Sequence, residues 1–213
     1  MKHKIYMFDF DGVLVNSTSY IGKGLVEFLD KHHISYPADV VKHCMPLGYK
    51  GVAKYYHDDL GLDIDVDEME QLILDDIYYY YANEIEIKEG VREYLQKLKA
   101  EGCSLNILSA GAHRMMDACM ERLGITDLFD NVFTCEDLGY KKSEIEIFQK
   151  AIELLNVTAE EIAFFDDNIV ALTRAKEAGL YTVGVYDDSG MDFVQEMKEA
   201  GEKYIYSFLE LEK

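Results

Sequence analysis

Asp9 and Asp11 stand two residues apart at the end of an apolar run, Ile5 to Phe10, that closes at Gly12. Such a run bounded by a glycine turn predicts a short buried strand. Side chains alternate faces along a strand, so the two carboxylates share one face while Phe8 and Phe10 take the other. Two acids side by side at the end of a core strand repel each other and resist desolvation, a penalty that a bound cation offsets. Three later places also put polar chemistry at the end of an apolar segment: Ser109, Lys142 by way of a short loop, and the adjacent Asp166 and Asp167. On neighbouring strands these groups would converge on one spot. Carboxylates alone suit a hard cation such as Mg2+, and a lysine beside the N–H groups that open the helix after Ser109 suits an anion. Metal, anion cradle and free carboxylate together describe phosphoryl transfer through an aspartyl-phosphate. Taken singly, Ser109 reads as a turn residue, Lys141 and Lys142 as solvated, and Asp166-Asp167-Asn168 as a helix cap. Their order at four successive strand ends favours the site.

The elements that must position these groups read as two textures. From residue 16 to 84 the spacing predicts four short helices and no strand: one capped by Ser17 to Ser19 and running to about His33, then Asp39 to Met45, about Val52 to Leu60, and Asp67 to about Asn83. The breaks fall at Pro37, Pro46-Leu47-Gly48 and Gly61. From Glu89 onward strands alternate with helices: helix Glu89–Ala100, strand Ser104–Leu108, helix His113–Leu123 and strand Asn131–Cys135. A helix opened by a Ser143/Glu146 capping box follows, then strand Ile162–Phe165, a helix to Ala178, strand Tyr181–Val185, a helix near Met191–Ala200 and a weak strand at Tyr204–Ile205. This alternation predicts an α/β fold, a doubly wound, mostly parallel sheet, with ligands at the carboxyl ends of its strands. Residues 1–15 and 85–213 would form that core and 16–84 an inserted helical cap.

With 213 residues, 49% of them hydrophobic, the chain suffices for one good-sized domain with a modest insertion. No apolar run approaches the ~20 residues needed to cross a bilayer, and a chain opening directly on a strand predicts no signal peptide. Cys44, Cys103, Cys119 and Cys135 are scattered and form no CxxC pair, which suits reduced thiols and a cytoplasmic location. The formal charge of -20 disfavours nucleic acid and anionic membrane as partners. It equally repels small phosphorylated anions, so a site for them needs a local cation.

The chain resembles the haloacid dehalogenase superfamily, specifically its helical-cap phosphatases in the phosphoglycolate phosphatase and β-phosphoglucomutase-like group. The resemblance rests on four motifs in order: Asp9-Phe10-Asp11-Gly12-Val13, the Ser109 strand end, Lys142 ahead of Ser143 to Phe148, and Phe164-Phe165-Asp166-Asp167 with Ala175 to Gly179 downstream. It implies a Mg2+-dependent hydrolase of small phosphate monoesters. On that resemblance Asp9 is the nucleophile, and Asp11 the acid for the leaving alcohol and then the base for water. Asp9 and Asp167, with the carbonyl of Asp11, hold Mg2+. Ser109 and the N–H of Ala110 hold a phosphoryl oxygen, Lys142 neutralises the charge around Asp9, and Asp166 supports from behind. The implied partner is a small phosphorylated metabolite.

Departures from the family pattern are Ala171, where a second acid is common, Asn16 in place of an aspartate, and Ser143 and Ile145 where prolines are usual. Asp11 argues against dehalogenation, which needs no leaving-group acid. Sugar-phosphate mutases of the β-phosphoglucomutase type use a cap histidine where this chain has Ile21, so hydrolysis is favoured. A non-catalytic phosphate-binding regulatory protein is the reading from another class. Tyr49 and Lys50 are the candidate specificity residues of the cap and His43 a weaker one, His113 after the phosphate loop is a weaker pocket-lining candidate, and the run Tyr78–Tyr81 reads as packing. Substrate identity and oligomeric state stay open.

Overall fold

The opening apolar run becomes β1 (Ile5–Phe8) in the computed structural model, which describes residues 3–211. The later strands are β2 (Ser104–Ser109), β3 (Asn131–Thr134), β4 (Ile162–Asp166), β5 (Tyr181–Val185) and β6 (Lys203–Ile205). They form one six-stranded sheet of order β3-β2-β1-β4-β5-β6, parallel at every pairing. Every residue of β4 is buried, as expected for a central strand covered on both faces. The strand order reverses between β1 and β4, which is where such sheets open a crevice at their carboxyl ends.

Alternate residues of the central strands feed two apolar layers. On one side Met7 and Phe164 pack with Ile147, Phe148 and Ala151 of α8 (Ile145–Leu155) and with Ala171, Leu172 and Ala175 of α9 (Ile169–Glu177). On the other side Phe8 and Phe165, with ring centroids 4.8 Å apart, meet Tyr94 of α5 (Val91–Ala100) and Phe208. The remaining helices of this unit are α6 (His113–Leu123), α7 (Cys135–Leu138) and α10 (Val194–Ala200).

A second compact unit, Ser17–Ile85, carries α1 (Thr18–Lys31), α2 (Val40–Cys44), α3 (Gly48–Asp58) and α4 (Val66–Asn83). The sequence places this insertion one residue earlier at each end, at 16–84. Its core holds Leu25, Phe28, Tyr56, Ile73, Ile77 and Tyr81, and the Tyr56 hydroxyl donates to the Leu25 carbonyl at 3.0 Å. The tyrosine run is split by helical periodicity: Tyr80 and Tyr81 are buried and Tyr79 is exposed. Cys44, Cys103 and Cys119 are buried and Cys135 half-buried, none of them in a disulfide.

Several local expectations differ. β1 ends at Phe8 rather than Phe10, because the chain turns so that Leu14 N donates to the Phe10 carbonyl at 2.9 Å. Ser17 makes no cap bond; its backbone is already helical and its Oγ is buried without a partner. The Ser143/Glu146 capping box does not form. Glu144 stands at the N-cap of α8, and its side chain accepts from Lys141 N at 2.8 Å. The third helix starts at Gly48 rather than Val52, and the one expected over Met191–Ala200 is helical only from Val194, after a 3₁₀ stretch. β3 stops at Thr134, whose capping box with Asp137 opens the unexpected α7.

Phe164 is fully buried against Phe148, the two rings edge-to-face at 5.2 Å. Phe164→Ala should lower the unfolding free energy by about 3–5 kcal/mol. Leu154→Ala, at a half-exposed position, should change it by less than about 0.5 kcal/mol. Urea unfolding of both variants checks the pair.

Candidate active site

Phe8 pairs in register with Phe165, and Asp9 N donates to the Phe165 carbonyl at 2.8 Å. The next residues, Asp9 and Asp166, therefore leave the sheet as neighbours at the point where its strand order reverses. Asp9, Asp166 and Asp167 each bring a carboxylate oxygen to within 4.8 Å of the other two. Lys142, from the loop before α8, reaches in among them. Its Nζ lies 2.5 Å from Asp9 Oδ2 and 2.8 Å from Asp166 Oδ2. The other oxygen of Asp9 accepts from Phe10 N at 2.7 Å, and that of Asp166 from Asn168 N at 2.8 Å. Asp166 thus commits both oxygens to the protein, while Asn168 caps α9 through its own side chain.

Two glycines set the close approaches. Gly12 has a φ of 71°, and a Cβ there would collide with the Asp167 carboxylate. At Gly111 a Cβ would lie 3.1 Å from Asp11 Oδ2 and 3.4 Å from Ser109 Oγ, so Asp11 and Ser109 meet across this residue. Ser109 is buried and its Oγ accepts from Gly111 N at 3.0 Å. The loop through Ala110 then enters α6, whose N-cap, Ala112, supplies no side-chain acceptor. The first N–H groups of that helix suit an oxyanion. His113, opening α6, has its Nε2 at 2.7 Å from Asp137 Oδ2, which also accepts from Thr134 N. That ties the Ser109 loop to the end of β3.

The electrostatics follow from crowding. Burial would lower the Lys142 pKa, but Asp166 and Asp9 outweigh it and hold the ammonium charged well above the ordinary lysine range. Burial pushes Asp166 up to about 6, against the pull of Lys142. Asp167 is pushed well above the carboxylate range by burial and by the charges of Asp166 and Asp9, with a smaller push from Asp187. Three carboxylates facing one lysine leave an excess of negative charge built from oxygen donors alone. That donor set fits a hard dication.

Tyr49 and Lys50 lie in α3 of the helical unit, where Lys50 Nζ is 2.8 Å from Asp67 and both side chains are exposed. Tyr49 is half-buried. The motif pattern passes over Asp187, a further acid two residues beyond the end of β5. Strand-end placement is the signal that marks it.

A family model described as haloacid dehalogenase-like hydrolase matches residues 6–185. Pyrophosphatase PpaX of Bacillus thuringiensis (strain Al Hakam) is 28% identical over 189 residues, covering 87% of this chain and 84% of that protein. Among solved structures, CbbY of Rhodobacter sphaeroides in complex with xylulose-(1,5)bisphosphate superposes with a TM-score of 0.85 at 17% identity, over 99% of this chain and 97% of that one. A candidate beta-phosphoglucomutase of Thermotoga maritima superposes with a TM-score of 0.81 at 20% identity, over 95% and 94% of the two chains.

The raised pKa of Lys142 contributes stability that is fully present below the ordinary lysine range, so it is flat across neutral pH. Lys142→Met leaves two buried carboxylates without their counter-charge and should lower stability by about 3–5 kcal/mol near neutral pH. Part of that loss should return as pH falls toward about 6, because Asp166, pushed up to about 6 even with Lys142 beside it, rises further once that charge is gone. Carboxyls with raised pKa bind protons in the native state before the unfolded one, so stability rises as pH falls through that window. Urea unfolding across pH checks both the loss and its recovery.

Proposed function

This chain belongs to the haloacid dehalogenase-like hydrolase family, and on that premise we propose that it hydrolyses small phosphate monoesters through an aspartyl-phosphate on Asp9. The observation that carries the reading is Lys142 held between Asp9 and Asp166 beside the Asp11–Gly111–Ser109 approach. In this reading Asp9 attacks phosphorus and the bond to the leaving oxygen breaks. Asp11 gives its proton to that oxygen and releases the alcohol. Water then attacks the aspartyl-phosphate, Asp11 takes a proton from it, and phosphate leaves with Asp9 restored.

Ser109 Oγ and the N–H of Ala110, with the first N–H groups of α6, orient the phosphoryl oxygens. Lys142 keeps Asp9 ionised and offsets charge on the phosphoryl group. Asp166 acts through Lys142, holding its Nζ in place. Asp9 and Asp167, with the carbonyl of Asp11, are the residues that would hold Mg2+, which when bound screens the phosphoryl oxygens from the attacking carboxylate. Acid–base help accounts for about 10²–10⁴ of an acceleration that reaches ~10²¹ for such esters. Most of the remainder therefore falls to these positioning and charge-stabilising groups.

The helical unit serves as the cap that reads the substrate, with Tyr49 and Lys50 as its candidate contacts. The panel to screen holds sugar phosphates, phosphoglycolate and nucleoside monophosphates, with pyrophosphate added because a relative is named Pyrophosphatase PpaX. A mutase of the β-phosphoglucomutase type shares the fold, but Ile21 offers no imidazole for proton transfer to a returning sugar. Four cysteines with no disulfide among them support a reduced, cytoplasmic setting for the protein.

Asp9→Asn should reduce phosphate release from an aryl phosphate to background while circular dichroism and melting temperature stay near wild type. Turnover surviving in that variant would sink the nucleophile assignment. Mg2+ should raise the melting temperature over that in chelator at about pH 7.5. The increment should shrink as pH falls, because the Asp167 carboxyl, pushed up by its neighbours, takes a proton in place of the metal. A metal-dependent shift that does not change with pH would argue against Asp167 as a ligand.

A further inference from the structure

A second buried ion pair lies in the same unit. Lys88 Nζ is 3.0 Å from Asp187 Oδ2 and donates to the Tyr186 carbonyl at 2.8 Å, with the two side chains 14% and 8% exposed. The other Asp187 oxygen accepts from Ser189 N at 3.1 Å and Ser189 Oγ at 2.7 Å. Burying such a pair costs desolvation that a well-packed apolar pair avoids, so stability alone is a weak reason for it.

Its location offers a better one. The turn that Asp187 opens runs against Asp167. Gly190 N donates to the Asp187 carbonyl at 3.1 Å, and a Cβ on Gly190 would lie 3.7 Å from the Asp167 carbonyl oxygen. Lys88 belongs to the segment that returns from the helical unit. That segment is laced to the stretch following Asp11: Lys88 N donates to the Leu14 carbonyl and Asn16 N to the Glu86 carbonyl, both at 2.9 Å, with Val15 bridged to Ile87 between them. A cation fixed here by a main-chain carbonyl would oppose a dication at Asp9 and Asp167. Paired with Asp187 it acts as a short dipole, whose field falls away much faster than that of a lone charge.

We propose that Lys88 and Asp187 are a charge-balanced pair of positioning residues for the cation site, Asp187 cancelling the repulsion that Lys88 alone would exert on a metal at Asp167. The inference rests on the Mg2+ reading given above. Asp187→Asn keeps the shape and the hydrogen-bond acceptor but turns the dipole into a bare cation. A full charge left unpaired beside a dication site, in a medium of intermediate dielectric, is enough to change affinity by roughly an order of magnitude.

The test is Mg2+ titration calorimetry on wild type, Asp187→Asn, Lys88→Met and the double variant, with urea unfolding of all four. Asp187→Asn should weaken Mg2+ binding about tenfold, and adding Lys88→Met should return it to within about twofold of wild type. A purely structural pair would lower unfolding midpoints and leave the Mg2+ affinity unmoved. The proposal is overturned if Asp187→Asn binds Mg2+ like wild type, or if the double variant is as weak as the single one. Wild type that binds no Mg2+ would overturn the metal reading itself, and this pair's role with it.

Discussion

Asp9, Asp166 and Asp167 repel one another across less than 5 Å, and the structure around them is arranged to withstand that repulsion. Neither strand that carries them could hold such a cluster at a sheet edge. β1 and β4 occupy the middle of the sheet, braced by Met7 and Phe164 on one side and Phe8 and Phe165 on the other. Lys142 relieves the repulsion in part, touching two of the three acids. Gly12 lets the backbone pass where a side chain would displace Asp167. The cluster therefore depends on packing several residues away in every direction.

Much of this was legible from residue order. Strand ends marked by Asp9, Ser109 and Asp166-Asp167 are local signals, and buried parallel strands write themselves as short apolar runs. The failures have physical causes. Ser143 and Glu146 match a capping box, yet Glu144 takes the N-cap and turns its carboxylate back to Lys141 N. Ser17 has a capping residue's chemistry on a backbone that is already helical. The four residues of α7 are too few to show a period. Lys88 and Asp187 meet across nearly a hundred residues of chain, and no local pattern encodes such a pair.

The surface carries a formal charge of -20, so an anionic substrate approaches against a repulsive field. Lys142 does little to reverse it, because its charge is already shared between Asp9 and Asp166. Attraction falls instead to fixed dipoles, the N–H groups of the Ser109 loop and the start of α6. These lose nothing to acid or base across the neutral range, whereas the carboxylates beside them do.

The pairing of β1 with β4 joins residues 5–8 to residues 162–165. On a growing chain the strand leading into Asp9 emerges about 150 residues before β4 exists, with the whole helical unit and β2 made in between. Contacts of such long range are costly in loop-closure entropy and form slowly. Until β4 arrives, β1 has an unpaired edge and an apolar face, while its terminal acid stays in water at little cost. The acidic cluster thus comes into being only when the central strands close, with β2 and β3 already made and β5 and β6 still to follow.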